Sequence, residues 1–338
     1  MKLCLAGDTM LGRKVAERLA RVPPAALFAD GVVGAAREAD LFVLNLECAI
    51  SDRGERWPDP FKPFFFRAPP IAVEVLRYLG VGCVTLANNH ALDFGTVALL
   101  DTLRHLAAAG IESVGAGVDE RAARAPVVIE RGGVRIGIIA VTDHPADFAA
   151  SADRPGVAYA ELRRGIPEWL RDSIANVDAD IVVVTPHWGP NMVAEPVAHV
   201  RSAAAALQDA GADLIAGHSA HVFHGAAHRL LYDLGDFIDD YAREPELRNE
   251  LSLLWLVTIE ASMPARVEAV PLALDYCHTR LANPHEAAWI RNRFRRACAA
   301  MGTDVQEEGG RLVVEWPRGD GTATSPRSSR AAAARTWT

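Results

Sequence analysis

Short apolar runs alternate with polar clusters and helix-period stretches along most of this chain. Residues 2–6, 41–46, 83–87, 134–141, 181–185 and 214–216 are brief and rich in branched side chains. Each is bounded by glycine or polar residues, the pattern of a buried strand. Between them, residues 12–21, 71–79, 97–109, 166–176 and 197–210 have helical texture. In the last of these, Val197, Val200, Ala204 and Leu207 recur at helical spacing. Strands alternating with helices predict an α/β layered fold. Gly132-Gly133 joins two apolar runs between Val127 and Val141 and predicts a hairpin turn.

Two stretches break the rhythm. Residues 51–70 carry five prolines and the run Phe64-Phe65-Phe66, and are expected to form a long loop of functional use. Beyond Arg229 the texture changes to strands at 229–234, 253–260 and 266–274, then a helix near 285–300. The organisation expected is one domain over 1–275, a helix and strand over 276–317 that complete it, and a disordered tail over 318–338.

Composition narrows the class. The 338 residues are 50% hydrophobic and 23% charged, the balance of an ordinary folded protein. A formal net charge of −8 argues against nucleic acid or an anionic membrane as the main partner. No run approaches the ~18 apolar residues of a membrane span, so no membrane insertion is expected. In the opening residues Asp8 arrives too early for the apolar core of a signal peptide. Five cysteines, Cys4, Cys48, Cys83, Cys277 and Cys298, are widely spaced, which fits a reducing compartment and excludes a thiolate zinc module. These features together lead us to expect a cytoplasmic protein.

The chemistry collects where five apolar runs end. One finishes at Gly7-Asp8, the second at Asn45-Leu46-Glu47 and the third at Asn88-Asn89-His90. The fourth reaches Thr185-Pro186-His187, and the fifth Gly217-His218-Ser219-Ala220-His221. Ligands of layered α/β proteins bind beyond the carboxyl ends of strands, so these ends are expected to converge on one site. A divalent metal needs several oxygen and nitrogen donors from separate segments. Taken singly, Asp8 could begin a turn, Asn88-Asn89 could be a turn, and His187 could be a core histidine. Together they favour a metal site. Thr142-Asp143-His144 ends another run and is read as turn chemistry ahead of Pro145.

On these residues the chain resembles the CapA family of poly-γ-glutamate capsule synthesis proteins, within the calcineurin-like metallophosphoesterase superfamily. The resemblance spans roughly residues 2–275. It is carried by Gly7-Asp8-Thr9-Met10-Leu11-Gly12, Asn45-Leu46-Glu47, Phe66-Arg67-Ala68-Pro69-Pro70, Ala87-Asn88-Asn89-His90 with Asp93-Phe94-Gly95, and His187-Trp188-Gly189. Further markers are Gly211-Ala212-Asp213, Gly217-His218 with His221-Val222, and Leu234-Gly235-Asp236-Phe237. The resemblance implies a four-layer α/β/β/α sandwich and one or two divalent metal ions (Mn, Fe or Zn). It implies that Asp8 binds one metal and Glu47 bridges two, that Asn89, His187 and His218 serve the second, and that His221 reaches the first. His90 would act beside the substrate as a proton donor or anion-stabilising group, oriented by Asp93. Departures include Met10 where the superfamily has a histidine, Asn191 where the family often has glutamate, and Asp236 where it usually has asparagine.

Arg67, Trp188 and Asn88 are the expected substrate contacts, with Lys62 more readily read as a surface residue; a bidentate Arg67 suits a carboxylate or phosphate. The leading expectation is a metal-dependent hydrolase acting on a phosphoester or an amide or peptide-like bond of a small molecule or peptide. The alternative is an accessory or transfer component of poly-γ-glutamate or related polymer synthesis. A remote alternative is a serine hydrolase using Ser219, weakened because His221 occupies the final glycine position of a nucleophile elbow. Gly115-Ala116-Gly117 lacks the third glycine of a dinucleotide fingerprint, there is no P-loop, and an oligomer is compatible with the sequence.

Overall fold

The computed structural model describes residues 1–316, so the tail expected over 318–338 lies outside the described residues. Two sheets dominate. The larger runs in the order Gln306–Glu308, Arg311–Glu315, Met263–Asp275, Leu251–Glu260, Lys2–Thr9, Leu41–Leu46, Cys83–Thr85 and Glu112–Val114. Asp236–Ile238 adds to Lys2–Thr9, and His278–Leu281 adds to Met263–Asp275. The smaller runs Ala226–Ala227, Leu230–Leu231, Leu214–Ala216, Ile181–His187, Val134–Thr142 and Val127–Arg131.

Period-2 alternation explains the stacking. Leu3, Leu5, Val43 and Cys83 from the first sheet share one core with Ile136, Ile138, Ile181, Val183 and Leu214 from the second. The intervening residues Cys4, Ala6, Phe42, Leu44 and Val84 turn the other way, onto helical residues Val15, Val32, Leu76 and Leu99. On the far side of the second sheet, Ile139, Val182, Val184 and Ile215 meet Leu170, Ile174, Val200 and Leu207. Successive side chains on opposite faces therefore produce helices, sheet, sheet, helices in four layers. The fold is the mixed α/β architecture expected from the alternation of elements.

The chain after Asp275 returns to this body. His278–Leu281 and Arg311–Glu315 both pair with Met263–Asp275. Helix Pro284–Ala299 starts in a capping box between Asn283 and Glu286 and sends Ile290, Phe294 and Cys298 into the inter-sheet core. There Phe294 meets Trp255 edge-on at 5.6 Å.

Some elements differ from expectation for local reasons. The strand expected over 83–87 stops at Thr85, because the chain turns and the Asn88 N–H donates to the Leu86 carbonyl. The strand expected over 229–234 shrinks to Leu230–Leu231. Asp233 instead accepts backbone N–H groups from Ala220 and Gly235, which shapes a turn. Helix Asp30–Ala36 escapes the sequence pattern because two glycines weaken its propensity, yet it buries Val32, Val33, Ala35 and Ala36. Within the proline-rich loop, Arg67–Ala68 pairs with Ala49–Ile50.

Gly7 sets how closely the chain can approach itself at the site. A Cβ there would fall 1.7 Å from the Gly235 carbonyl oxygen, which accepts the Asp8 N–H at 2.9 Å. This contact draws Asp236 alongside Asp8. Gly7→Ala should destabilise the fold by about 3 kcal/mol, the upper end of overpacking costs. Urea unfolding of the variant against wild type would check this; an unchanged midpoint would contradict it.

Candidate metal centre

Three strands bring three polar side chains into one row. Asp8 on Lys2–Thr9 is in register with Asn45 on one parallel neighbour and with Asp236 on the other. Residues in register on adjacent strands point to the same face. Asn45 Nδ2 donates to Asp8 Oδ1 at 2.7 Å, and Asn45 Oδ1 accepts from Thr85 Oγ1 and Asn88 Nδ2. Glu47 follows directly, its N–H bound to the Thr9 carbonyl and its Oε2 accepting from the Tyr241 hydroxyl at 3.2 Å.

The second sheet supplies the imidazoles. His187 ends its strand and forms a bridge with His218. The loop onward is bent by residues in the left-handed region, Ser219 at φ 107° and His221 at φ 58°. Such conformations at non-glycine residues persist only where surrounding contacts hold them. Here the Ser219 N–H lies 3.3 Å from Asp8 Oδ2. His218 Nδ1 stands 3.2 Å from Asp8 Oδ1, and His221 Nδ1 stands 2.8 Å from Asp236 Oδ1 and 3.3 Å from Asp8 Oδ2. Ligand atoms of Asp8, Glu47 and His187 lie within 4.8 Å of one another, and those of Asp8, His221 and Asp236 do likewise.

The donor set fits a cation. Glu47 Oε1, Asn89 Oδ1, both ring nitrogens of His187 and Asp236 Oδ2 are buried and lack a hydrogen-bond partner among the described residues. Each buried polar atom left unmet costs about 1–3 kcal/mol. The unmet atoms of Glu47, His187 and Asp236 lie around Asp8, and such oxygen and nitrogen acceptors are what a divalent ion would satisfy. These buried acidic and histidine groups could hold a metal ion.

Beside the cluster, Asp93 Oδ2 takes His90 Nδ1 at 2.6 Å while the His90 ring stacks on Phe66 at 3.8 Å. Asp93 also accepts the Phe66 N–H, and Lys62 Nζ reaches Asp93 Oδ1 at 3.0 Å and the Asn89 carbonyl at 2.7 Å. The proline-rich loop is thereby docked on the site through Lys62, which the sequence read as a surface residue. Asp143 joins His144 Nδ1 at 2.5 Å, the Gly189 N–H and His199, and the His144 ring lies 5.3 Å from that of His187. That turn therefore borders the cluster.

The expected substrate contacts have these partners in the fold. Arg67 donates to the carbonyls of Arg53 and Gly54 and covers the Phe94 ring at 4.1 Å, bracing the loop. Trp188 is core, its indole N–H on the Tyr232 carbonyl. Asn88 is a cross-brace between Asn45, the Leu46 carbonyl and the His90 N–H. Ser219 Oγ is buried and donates to the Gly189 carbonyl, which removes the nucleophile geometry a serine hydrolase requires. Asp236 and Tyr241 escaped the sequence reading. The signal for Asp236 was its carboxylate within Leu234-Gly235-Asp236-Phe237, read only as a departure from the family; Tyr241 carried none.

Burial raises the Glu47 carboxyl well above its usual range, with Asp8 adding to it. Burial likewise pushes Asp236 and Asp233 well up. At Asp8 burial is outweighed by hydrogen bonds from His218 and His221, which hold that carboxyl well below its usual range. Burial alone would lower His221, but Asp236 and Glu47 carry it well above. Burial takes His187 well down and His90 to about 4.

A pH dependence follows. A group with a raised folded pKa loses its stabilising contribution as pH climbs toward that value. Glu47, Asp233, Asp236 and His221 all act in this direction. His187 and His90, depressed, act oppositely, but their effect is complete once pH exceeds the ordinary histidine value of 6.5. Metal-free protein should therefore lose thermal stability as pH rises from about 6.5 to 9. Bound divalent ion should reverse the slope, because it replaces those protons. Unfolding midpoints across pH, in chelator and in Mn²⁺, would check this; a flat profile in chelator would contradict it.

The family description "Bacterial capsule synthesis protein PGA_cap" matches residues 2–241. The Mycobacterium tuberculosis protein named "Probable polyglutamine synthesis accessory protein MT0602" is 33% identical over 288 residues, covering 79% of this chain and 74% of the relative. "PGA biosynthesis protein CapA" of Bacillus subtilis is 32% identical over 242 residues, covering 69% of this chain and 62% of its own length. Among solved structures, a hypothetical protein from Thermus thermophilus aligns over 80% of this chain and 98% of that one, at TM-score 0.46 and 16% identity. No helix among the described residues is long and apolar enough to cross a membrane. Matched over most of its length by the family model and by relatives of this identity, the chain belongs to the CapA family of bacterial capsule synthesis proteins.

Proposed function

We propose that this chain is a metal-dependent hydrolase of an amide or peptide-like bond, working within poly-γ-glutamate or related polymer metabolism. The observation that carries the reading is the buried, unmet Glu47 Oε1 and His187 ring nitrogens gathered with Asp8, whose Oδ1 lies 3.2 Å from His218 Nδ1. Asp8, Glu47, Asn89, His187, His218 and His221 would hold one or two divalent ions (Mn, Fe or Zn). When bound, the ions supply a water acidic enough to attack at neutral pH and polarise the oxygen that gains charge.

The chain's own residues do the remaining work. Tyr241 donates to Glu47 and fixes that carboxylate. Asp93 engages His90 Nδ1, which leaves Nε2 as the nitrogen for proton transfer. With its pKa lowered to about 4 by burial, His90 is neutral at pH 7. It would therefore first accept a proton at Nε2 and then return it to the leaving group, rather than begin as a donor. Phe66 stacked on the His90 ring holds its plane and excludes water from that side. The names of the relatives, which speak of PGA biosynthesis and polyglutamine synthesis, favour an amide over a phosphoester.

A second reading, an accessory or transfer role in polymer assembly, is supported by the words "accessory protein" in the name of the M. tuberculosis relative. Hydrolysis by the isolated chain separates the two.

The test is release of p-nitroaniline from γ-glutamyl-p-nitroanilide, with bis-p-nitrophenyl phosphate in parallel. Activity should vanish on chelation and return with Mn²⁺, Fe²⁺ or Zn²⁺. His90→Asn should lower kcat by about 10²-fold or more with bound metal unchanged. Full activity in metal-free protein would rule the reading out.

A further inference from the structure

Asp236 is tied to the cluster more closely than a passive neighbour needs to be. It lies in register with Asp8 on the adjoining parallel strand, and its ligand atom falls within 4.8 Å of those of Asp8 and His221. Its Oδ1 meets His221 Nδ1 at 2.8 Å. Its Oδ2 is fully enclosed and has no hydrogen-bond partner among the described residues. Asp239, itself buried, brings a second carboxyl within hydrogen-bonding reach of Asp236, a group that can donate there only while it keeps a proton. No lysine or arginine ion pair neutralises Asp236 among the described residues; its only ion-pair partner there is His221.

Met10, two residues beyond Asp8, is wholly buried in the helix-facing core, and its sulfur receives the Gly12 N–H. It offers nothing to the cluster, so the donor set beside Asp8 and His221 must be completed from another strand. Each donor group holds two carboxylates and one imidazole, Asp8 with Asp236 and His221 in one and Asp8 with Glu47 and His187 in the other. They differ in what stands next to them, because His218 is bridged to His187 and adds a second imidazole on the Glu47 side. Carboxylate oxygens favour Mn²⁺ or Mg²⁺, while imidazoles suit Zn²⁺ and Fe²⁺.

We infer that Asp236 is itself a metal ligand, completing a second, oxygen-rich cation position with Asp8 and His221 that prefers Mn²⁺ or Mg²⁺ over Zn²⁺. The inference rests on the metal-centre reading and deepens it: the site takes two ions of unequal hardness. Asp8 lies in both donor groups, which makes it the shared carboxylate. The competing role for Asp236 is orientation of His221 alone. Asparagine separates the two roles, because its amide oxygen still accepts from His221 Nδ1 while it is a far poorer ligand.

The experiment is metal stoichiometry by inductively coupled plasma mass spectrometry on full-length protein equilibrated with Mn²⁺, paired with the Mn²⁺ electron paramagnetic resonance spectrum. Wild type should hold two ions per chain with a spin-coupled spectrum. Asp236→Asn should hold one, with a six-line mononuclear spectrum, and bind the lost ion about 10–100-fold more weakly or worse. Asp236→His should regain two ions and shift the preference at that position from Mn²⁺ toward Zn²⁺, which covers the case of an asparagine variant that does not fold. Two coupled ions in Asp236→Asn, or a single ion in wild type, would overturn the inference and leave a metal centre standing. A wild type that binds no divalent ion would overturn both.

Discussion

The structure turns on an imbalance of charge in its interior. Asp8, Glu47, Asp233 and Asp236 are all enclosed between the carboxyl ends of the two sheets, and no lysine or arginine ion pair reaches any of them among the described residues. Isolated ionised carboxylates are costly to bury, and such groups shift their pKa values or find a counter-cation. Here burial drives the Glu47, Asp233 and Asp236 carboxyls toward the protonated form, and Asp236 and Glu47 favour the charged form of His221. A divalent ion would relieve the imbalance more completely, since it would also meet the unpartnered ring nitrogens of His187.

Topology is what gathers these groups. Parallel strands end side by side, so Asn45, Asp8 and Asp236 form a row without any loop having to find them. The second sheet, packed face to face on the first, brings the bridge between His187 and His218 to the same end. The apolar core between the sheets fixes the distance across which these donors meet. The proline-rich loop then closes one side: Lys62 grips Asp93 and the Asn89 carbonyl, and Phe66 lies on His90. Asp93 therefore links loop position to imidazole orientation.

Much of this was legible in the sequence because the signals were local. Branched apolar runs of 3–8 residues marked the strands, and the polar residue at each run's end marked the site. Layering was readable from alternation, although the four-layer sandwich came through family resemblance. What stayed hidden was non-local. Asp236 acquires meaning only through its register with Asp8, which depends on Gly7 clearing space for the Gly235 carbonyl. Tyr241 lies far along the chain from Glu47, whose carboxylate it holds. The anion-suited chemistry of Arg67 was visible, whereas the backbone carbonyls that its donors meet, and the Asn45 oxygen that Asn88 meets, were not. A donor's chemical type is visible in sequence; the acceptor it meets is a product of packing.

The central claim is that the enclosed acids and imidazoles surround a bound divalent ion. It is tested most directly by X-ray diffraction from crystals grown with Mn²⁺, with data collected at a wavelength where manganese scatters anomalously. The account requires an anomalous peak at about 2.0–2.3 Å from a carboxylate oxygen of Asp8 or Glu47 and a ring nitrogen of His187. Density there with no anomalous signal, in crystals equilibrated with millimolar Mn²⁺, would contradict it.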